Sequence, residues 1–467
     1  MKFIYKSVFI LAIAFSSCNQ AIEVDVPMGK FTNTAVFDND DLAQAAMKGI
    51  YASMTNALST APFQGAMSGP LGLSSDELDR TSYSDPQQQL LDNNLFPNNS
   101  SVTGLWAAFY NYVYQANVIY ESTERSTGMS AKVKARLMGE SRFIRALSLF
   151  YLTNLYGPVP LTVKSDYAVN GLLPVSSQQV VYAQIIEDLN YAHANIGDDN
   201  IKAGNRHRPS KWAATALLAR VYLYQKDWVN AEKEATKLIE QSAVYKMETL
   251  DNAFLVASTE SIWNITNAGA NIYTGEGSSV GGNATSNTVF RLTPYFVGQF
   301  KSDDQRLVKW TKTFTGTTAP FKFKTLSNTQ AGAKAESAAP LRLAEQYLIR
   351  AEARAMQNNL NGAIDDIDVI RVRAGAVANA TKNFQTLRFA SPLMTQPELI
   401  TAIYQERMTE LFAEFGHRWF DAKRAEPQDL AAFFGTRKPT ISQTDAFFPI
   451  PERELLYNPN IKQNDGY

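Results

Sequence analysis

The sequence predicts an all-α fold: a scaffold of paired helices that carries irregular, loop-rich inserts and a few short strands. Three observations predict it. Apolar residues recur at helical spacing along much of the chain, two compact helix–turn–helix units stand far apart in it, and two long stretches rich in Ser, Asn, Gly and Pro separate the helical blocks. Composition agrees, since 45% apolar and 19% charged residues describe neither a disordered nor a membrane-embedded chain.

The first 17 residues read as a targeting segment. Lys2 and Lys6 give a positive start, Val8 to Phe15 a short apolar core, and Ser16 and Ser17 the small residues before a cleavage point. The apolar run is too short for a permanent membrane span. The one Cys of the chain, Cys18, follows at once, and this arrangement resembles a bacterial lipoprotein signal whose Cys is lipidated. Residues 18–36 lack helical periodicity and read as a tether; 37–467 read as one domain.

Within that domain, helical scaffold is expected at about 37–57, 102–259 and 340–425. Asp40 or Asp41 can cap the first helix, with Leu42, Ala45, Ala46, Gly49 and Ile50 on one face. Residues 58–101 are dense in turn signals and read as a variable loop region. Leu105, Phe109, Tyr112, Val113 and Ala116 then mark a helix. The next, 131–156, starts behind Ser130, pairs Arg136 with Glu140, and stops at Gly157-Pro158. Val181, Ile185 and Leu189 centre another over 177–196. A compact pair follows, KWAATALLARVYLYQ and, behind Asp227, WVNAEKEATKLIE; its length of about 33 residues resembles a tetratricopeptide (TPR) unit. A second variable region, 260–339, opens with the strand-like SIWNI. APLRLAEQYLIRAEARAMQ and AIDDIDVIRVRAG form the second TPR-like pair. A helix over 397–415 ends at Gly416, and 426–467 reads as a C-terminal wrap.

Charge and motifs exclude several functions. A net charge of −1 gives no drive toward nucleic acid, one Cys makes no intramolecular disulfide, and three His with one Cys leave few ways to build a soft-metal site. No H-E-x-x-H, P-loop or G-x-G-x-x-G occurs, so no metal or cofactor is expected. GSSVG at 277–281 has nucleophile-elbow spacing around Ser279 but loop sequence on both sides. Glu406, Glu410, Glu414 and Arg418 step by four residues; repelling carboxylates need cations, and an Arg–carboxylate network locking the C-terminal helix is the favoured reading. Catalytic residues are not expected. A glycoside hydrolase using loop carboxylates, Asp76 with Glu77 or Asp303 with Asp304, is the alternative, and a peptide-binding TPR scaffold a third.

The candidate ligand residues lie in the irregular regions. A sugar offers an apolar C–H face and a ring of hydroxyls, so flat aromatics beside amides and charges suit it. Asp76, Arg80, Tyr83, Asn93, Asn94 and Asn98 supply such a set, with Tyr273 and Trp310 from the second region.

Several stretches together resemble the SusD/RagB-like nutrient-binding outer-membrane lipoproteins of Bacteroidetes. They include FDNDDLAQAAMKGIYASM, LWAAFYNYVYQANVIYE, GESRFIRALSLFYLTNLYGPVPL, LRLAEQYLIRAEA, ERMTELFAEFGHRWFDAKR and FPIPERELLYNPNIKQNDGY, in the family's order. The resemblance implies a lipid-anchored, surface-exposed protein of polysaccharide utilization. It implies a SusC-like TonB-dependent transporter as partner, a glycan or other nutrient as ligand, and no catalysis. Cys18→Ala is expected to release the protein from the membrane fraction; continued sedimentation with membranes would refute lipid anchoring.

Overall fold

The computed structural model describes residues 33–55, 61–266, 271–281 and 289–467. The signal segment, Cys18 and nearly all of the tether lie outside them. The architecture is mainly helical and TPR-like, with short strands, as the periodicity predicts.

Helix α1 (Asp40–Ser53) is capped by Asn39, whose side chain accepts from the Asp41 and Leu42 amides at 3.0 Å. Its buried residues are Ala43, Met47 and Ile50, so the face is rotated from the expected one, and Ala45 and Gly49 are exposed. Within the first variable region, residues 61–101 are more ordered than their turn signals suggest. They hold α2 (Ser68–Ser74), strand β1 (Leu78–Arg80) and α3 (Asp85–Asp92). Leu71, Leu73, Leu78 and Leu90 are fully buried, and that burial organises a segment whose Ser, Gly and Pro content alone reads as loop.

Two long helices follow, α4 (Ser100–Arg125) and α5 (Ala131–Tyr156). The predicted stripe from Leu105 to Ala116 is buried, Ser130 caps α5 by accepting from the Val133 amide, and Arg136 meets Glu140 at 2.7 Å. Helix α6 (Gln178–Ile196) and the pair α7 (Lys211–Tyr224) and α8 (Trp228–Ile239) complete the first helical block, with Asp227 capping α8.

The second insert contributes β2 (Ser261–Ile265), β3 (Phe290–Leu292) and the hairpin β4 (Thr311–Phe314) and β5 (Thr317–Pro320). Strand β6 (Ala338–Arg342) runs directly into α9 (Leu343–Met356), which pairs with α10 (Leu360–Arg373). The sheets are antiparallel pairs, and two of them join distant segments: β1 with β3 (Asp79 opposite Arg291) and β2 with β6. Helix α11 (Gln396–Leu411) ends four residues before the expected stop. Phe412 turns extended, and Ala413, Phe415 and Gly416 take positive φ values of 52°, 48° and 78° before α12 (His417–Arg424). Gly416 is obligatory on two counts, its φ and the Leu71 side chain, since an added Cβ would lie 2.1 Å from Leu71 Cδ1.

The two TPR-like units meet in space. Ala219 and Leu223 of α7, Ala231 and Ala235 of α8, and Ile349 and Ala353 of α9 form one cluster, where small side chains permit close helix approach. Across the same junction the Arg220 guanidinium donates twice to the Glu345 carboxylate at 2.6 Å, both groups buried.

The charged C-terminal stretch forms the expected network, with partners drawn from elsewhere in the fold. Glu410 is held by Arg342 (2.6 Å), Arg306 (3.2 Å) and Arg373; Glu406 by Arg306 (2.7 Å) and Arg371 (3.0 Å); Glu414 by Arg342 (2.7 Å) and Lys322 (2.5 Å). Arg407, Arg418 and Arg424, the nearest cations in sequence, bind Asp421, Asp76 and Glu352 instead. Burial raises the Glu410 pKa, but Arg373, Arg342 and Arg306 outweigh it and hold the carboxyl well below the usual range. Its charge therefore stabilises the fold throughout the neutral range, and that contribution fades only in strong acid. Glu410→Gln removes one member of a buried charge set and is expected to cost about 3–5 kcal/mol, measured as a fall in Tm; an unchanged Tm would show that the network carries no stability.

Candidate ligand-binding site

The β1–β3 pair and α3 build one face of the molecule. The Thr81 amide donates to the Val289 carbonyl at 3.0 Å, and Arg80 reaches Gln88 on α3 and the Ser82 carbonyl at 2.7 Å. The Arg80 guanidinium lies 4.6 Å from the ring centre of Tyr83, which is 71% exposed. Asp85, hydrogen-bonded to the Tyr83 hydroxyl, raises its pKa. A cleft of about 710 Å³ adjoins the same strands through Val289 and Phe290, the latter paired with Arg80; Arg80 and Tyr83 themselves stand outside its lining. Pro70, Leu73, Leu90, Leu105 and Phe290 supply its apolar lining, and Gln87, Ser100, Ser101, Ser278 and Ser279 its polar groups. Gly65 forms part of the wall at φ +104°, and an added Cβ would sit 1.8 Å from the Ser279 hydroxyl. The chemistry is that of an apolar floor edged by hydroxyls and an amide, with an aromatic ring and a guanidinium at its side.

The sequence candidates divide. Arg80 and Tyr83 come together at the surface, and Asn94 and Asn98 are exposed nearby in sequence. Tyr273 is half-buried. Three assignments are corrected. Trp310 is 0% exposed; its indole N–H donates to the Leu250 carbonyl at 2.8 Å, and its ring packs near Phe254 and Lys322. It offers no face to a ligand. Asp76 is buried, accepting from Arg418 Nε and Nη2 at 2.7 and 2.8 Å and pairing with Arg437 at 2.8 Å. Asn93 is buried in the left-handed conformation that ends α3, donating to the Ser74 carbonyl at 3.0 Å.

The structure adds residues that local sequence did not single out. Arg291 pairs with Asp79 across the strands at 2.5 Å, and Arg437, fixed by Asp76, stacks 4.4 Å from the ring of partly exposed Tyr295. Arg291 and Tyr295 carried only the signal of lying within the second variable region, and Arg437, in the C-terminal wrap, carried none. The carboxylates considered for hydrolysis are engaged: Glu77 is buried and accepts from the Ala413 amide at 2.8 Å, Asp304 binds Arg306 at 2.7 Å, and Asp303 accepts from the Asn383 amide at 2.9 Å. Burial pushes Glu77 up to about 7. Ser279 lies in a short helical turn and donates to the Gly275 carbonyl at 2.5 Å, a setting unlike a strand-to-helix elbow. Among the described residues no group of three or more His, Cys, Asp or Glu is placed to hold a metal ion, and no helix is long and apolar enough to cross a membrane.

Paired helices backing a cleft lined largely by inserted loops define a TPR-like helical scaffold protein with an open surface cleft. The chain belongs to the SusD family: residues 229–467 match the family model described as "SusD family", and 40–223 match one described as "Starch-binding associating with outer membrane". A "SusD-like protein" of Bacteroides ovatus is 27% identical over 253 residues, which cover 52% of this chain and 43% of that protein. A SusD superfamily protein of Bacteroides vulgatus superposes with a TM-score of 0.76 at 22% identity, covering 92% of this chain and 100% of that one. A "Laminarin binding SusD-like protein" gives 0.71 at 22% identity, with coverage of 92% and 100%. At such identities the structural likeness speaks to fold.

Glu276, at the base of the short helix bearing Ser278 and Ser279, is pushed up to about 8 by burial, against opposing hydrogen bonds from Ser68 and the Gly65 amide. Folding therefore keeps it protonated where the unfolded chain ionises, and stability falls as pH rises from the ordinary carboxylate range toward about 8. Glu276→Gln is expected to raise Tm near pH ~8 and leave it unchanged near pH ~4; equal effects at both pH values would refute the buried-acid assignment.

Proposed function

We propose that this protein captures carbohydrate at the cell surface and passes it to a SusC-like TonB-dependent outer-membrane transporter, without turning it over. The observation that carries the reading is the exposed Tyr83–Arg80 pair beside the hydroxyl-edged cleft, in a chain of the SusD family. A pyranose stacks its C–H face on Tyr83 while Arg80, Gln87 and the serines reach its hydroxyls. The family model that names starch binding and the outer membrane, and the laminarin-binding structural neighbour, support a glucan as the class of ligand and the outer surface as the location. The lipid anchor at Cys18 belongs to the same proposal. Engagement of the candidate carboxylates in buried ion pairs and backbone contacts favours binding over hydrolysis.

Calorimetry with laminarin and starch oligosaccharides tests this reading. Tyr83→Ala and Arg80→Ala are each expected to weaken glucan binding about tenfold, the loss of roughly 1–2 kcal/mol of stacking and hydrogen bonding, with Tm unchanged in Tyr83→Ala because that ring is exposed. Unchanged affinity in both variants would remove the site. Purification with a large β-barrel partner is expected for the transporter assignment, and its absence from membrane extracts would count against it.

A further inference from the structure

A second cleft, on a different part of the molecule, is walled chiefly by aromatic rings. It encloses about 300 Å³ between α4, the segment 160–171 and the C-terminal wrap. Trp106, Tyr110, Tyr114, Tyr167 and Tyr457 stand around Glu454. Tyr114, Tyr167 and Tyr457 are 49%, 84% and 73% exposed, so ring surface is open to solvent at its mouth. The walls are built: Asn458 and Asn460 donate to the Leu173 and Leu172 carbonyls at 2.8 Å, joining the wrap to the 160–173 segment. The Tyr110 hydroxyl donates to the Pro160 carbonyl at 2.9 Å, and its ring lies 4.8 Å from that of Trp106.

Glu454 is the one charged residue lining this cleft among the described residues. The Trp106 indole hydrogen-bonds its carboxylate, yet it makes no ion pair among the described residues, and burial raises its pKa. The neighbouring Arg453 acts on it only at a distance, without an ion pair among the described residues, and a half-buried carboxylate so placed, ringed by electron-rich aromatic faces, attracts positive charge on both counts. The cleft is small, and the open tyrosine faces suit the C–H face of a single sugar ring.

We propose that this cleft binds an amino sugar through its free ammonium group. The ammonium sits against the Glu454 carboxylate and the surrounding rings, and the sugar face lies on Tyr167 or Tyr457. The site is separate from the Tyr83 cleft and takes a charged saccharide where that cleft takes a neutral one.

Titration of the full chain with glucosamine, N-acetylglucosamine and glucose, followed by calorimetry and by Trp fluorescence, tests it. Glucosamine is expected to bind about tenfold more tightly than its two neutral counterparts. Glu454→Gln, which keeps an acceptor for the Trp106 indole, is expected to abolish that preference. Tyr457→Ala is expected to weaken glucosamine binding, and Tyr83→Ala to leave it intact, which separates this proposal from the fate of the Tyr83 cleft. Equal binding of the three sugars, no glucosamine binding, or a preference that survives Glu454→Gln would overturn it.

Discussion

The fold turns on the carboxylate of Glu410. Around it meet Arg342 from β6, Arg373 from α10 and Arg306 from the second insert, and Glu406 and Glu414 extend the same charge ladder along and beyond α11. Glu260, beside β2, closes the circuit through Arg342 and Arg373. Each charge is removed from water, so each depends on its neighbours for compensation; a partial set would be worse than none. The arrangement thus demands that insert, helix pair and C-terminal helix assemble together, and it accounts for three like-charged groups on one helix edge.

The face that carries β1 inherits its placement from this hub. The left-handed turn after α11 places non-glycine residues Ala413 and Phe415 at positive φ, which costs roughly 1–2 kcal/mol each, and it is held by the first insert. The Ala413 amide donates to Glu77 and the Phe415 amide to the Ser68 hydroxyl, both at 2.8 Å. One residue before Glu77, Asp76 grips Arg418 of α12 and Arg437 of the wrap. Residues 76 and 77 are thus buried struts, and the strand that starts directly after them ends at Arg80 and leads into the exposed Tyr83. An acidic pair that reads as candidate chemistry serves to aim the residues beyond it.

What was legible in the sequence was what neighbouring residues decide. Ser130 and Gly157 bracket α5 because caps act over one turn, and Asp227 does the same for α8. The Glu406–Glu410–Glu414 spacing revealed that cations must come, but their origin 35 to 104 residues away carries no local mark. Trp310 sits among Asp, Lys, Arg and Thr, a context that suggests a surface, while Phe254, Phe412 and Leu250 come from elsewhere to enclose it. Tyr83 was read correctly as exposed because its surroundings, Thr81, Ser82, Ser84 and Asp85, are polar and no distant element covers it. Asn93 and Asn98, equally polar in context, part company only because one of them ends a helix.

The strand pairing of β1 with β3 and the grip of Arg418 on Asp76, 342 residues along the chain, bear on how the molecule is made. Synthesis proceeds from the N-terminus, so the segment around β1 emerges long before the partners that order it. Until Lys438 arrives, its ammonium cannot reach the Leu73 carbonyl, and α2 and β1 stay loosely held. A chain lacking Lys438 and Arg418 would therefore leave the segment around β1 exposed to proteases.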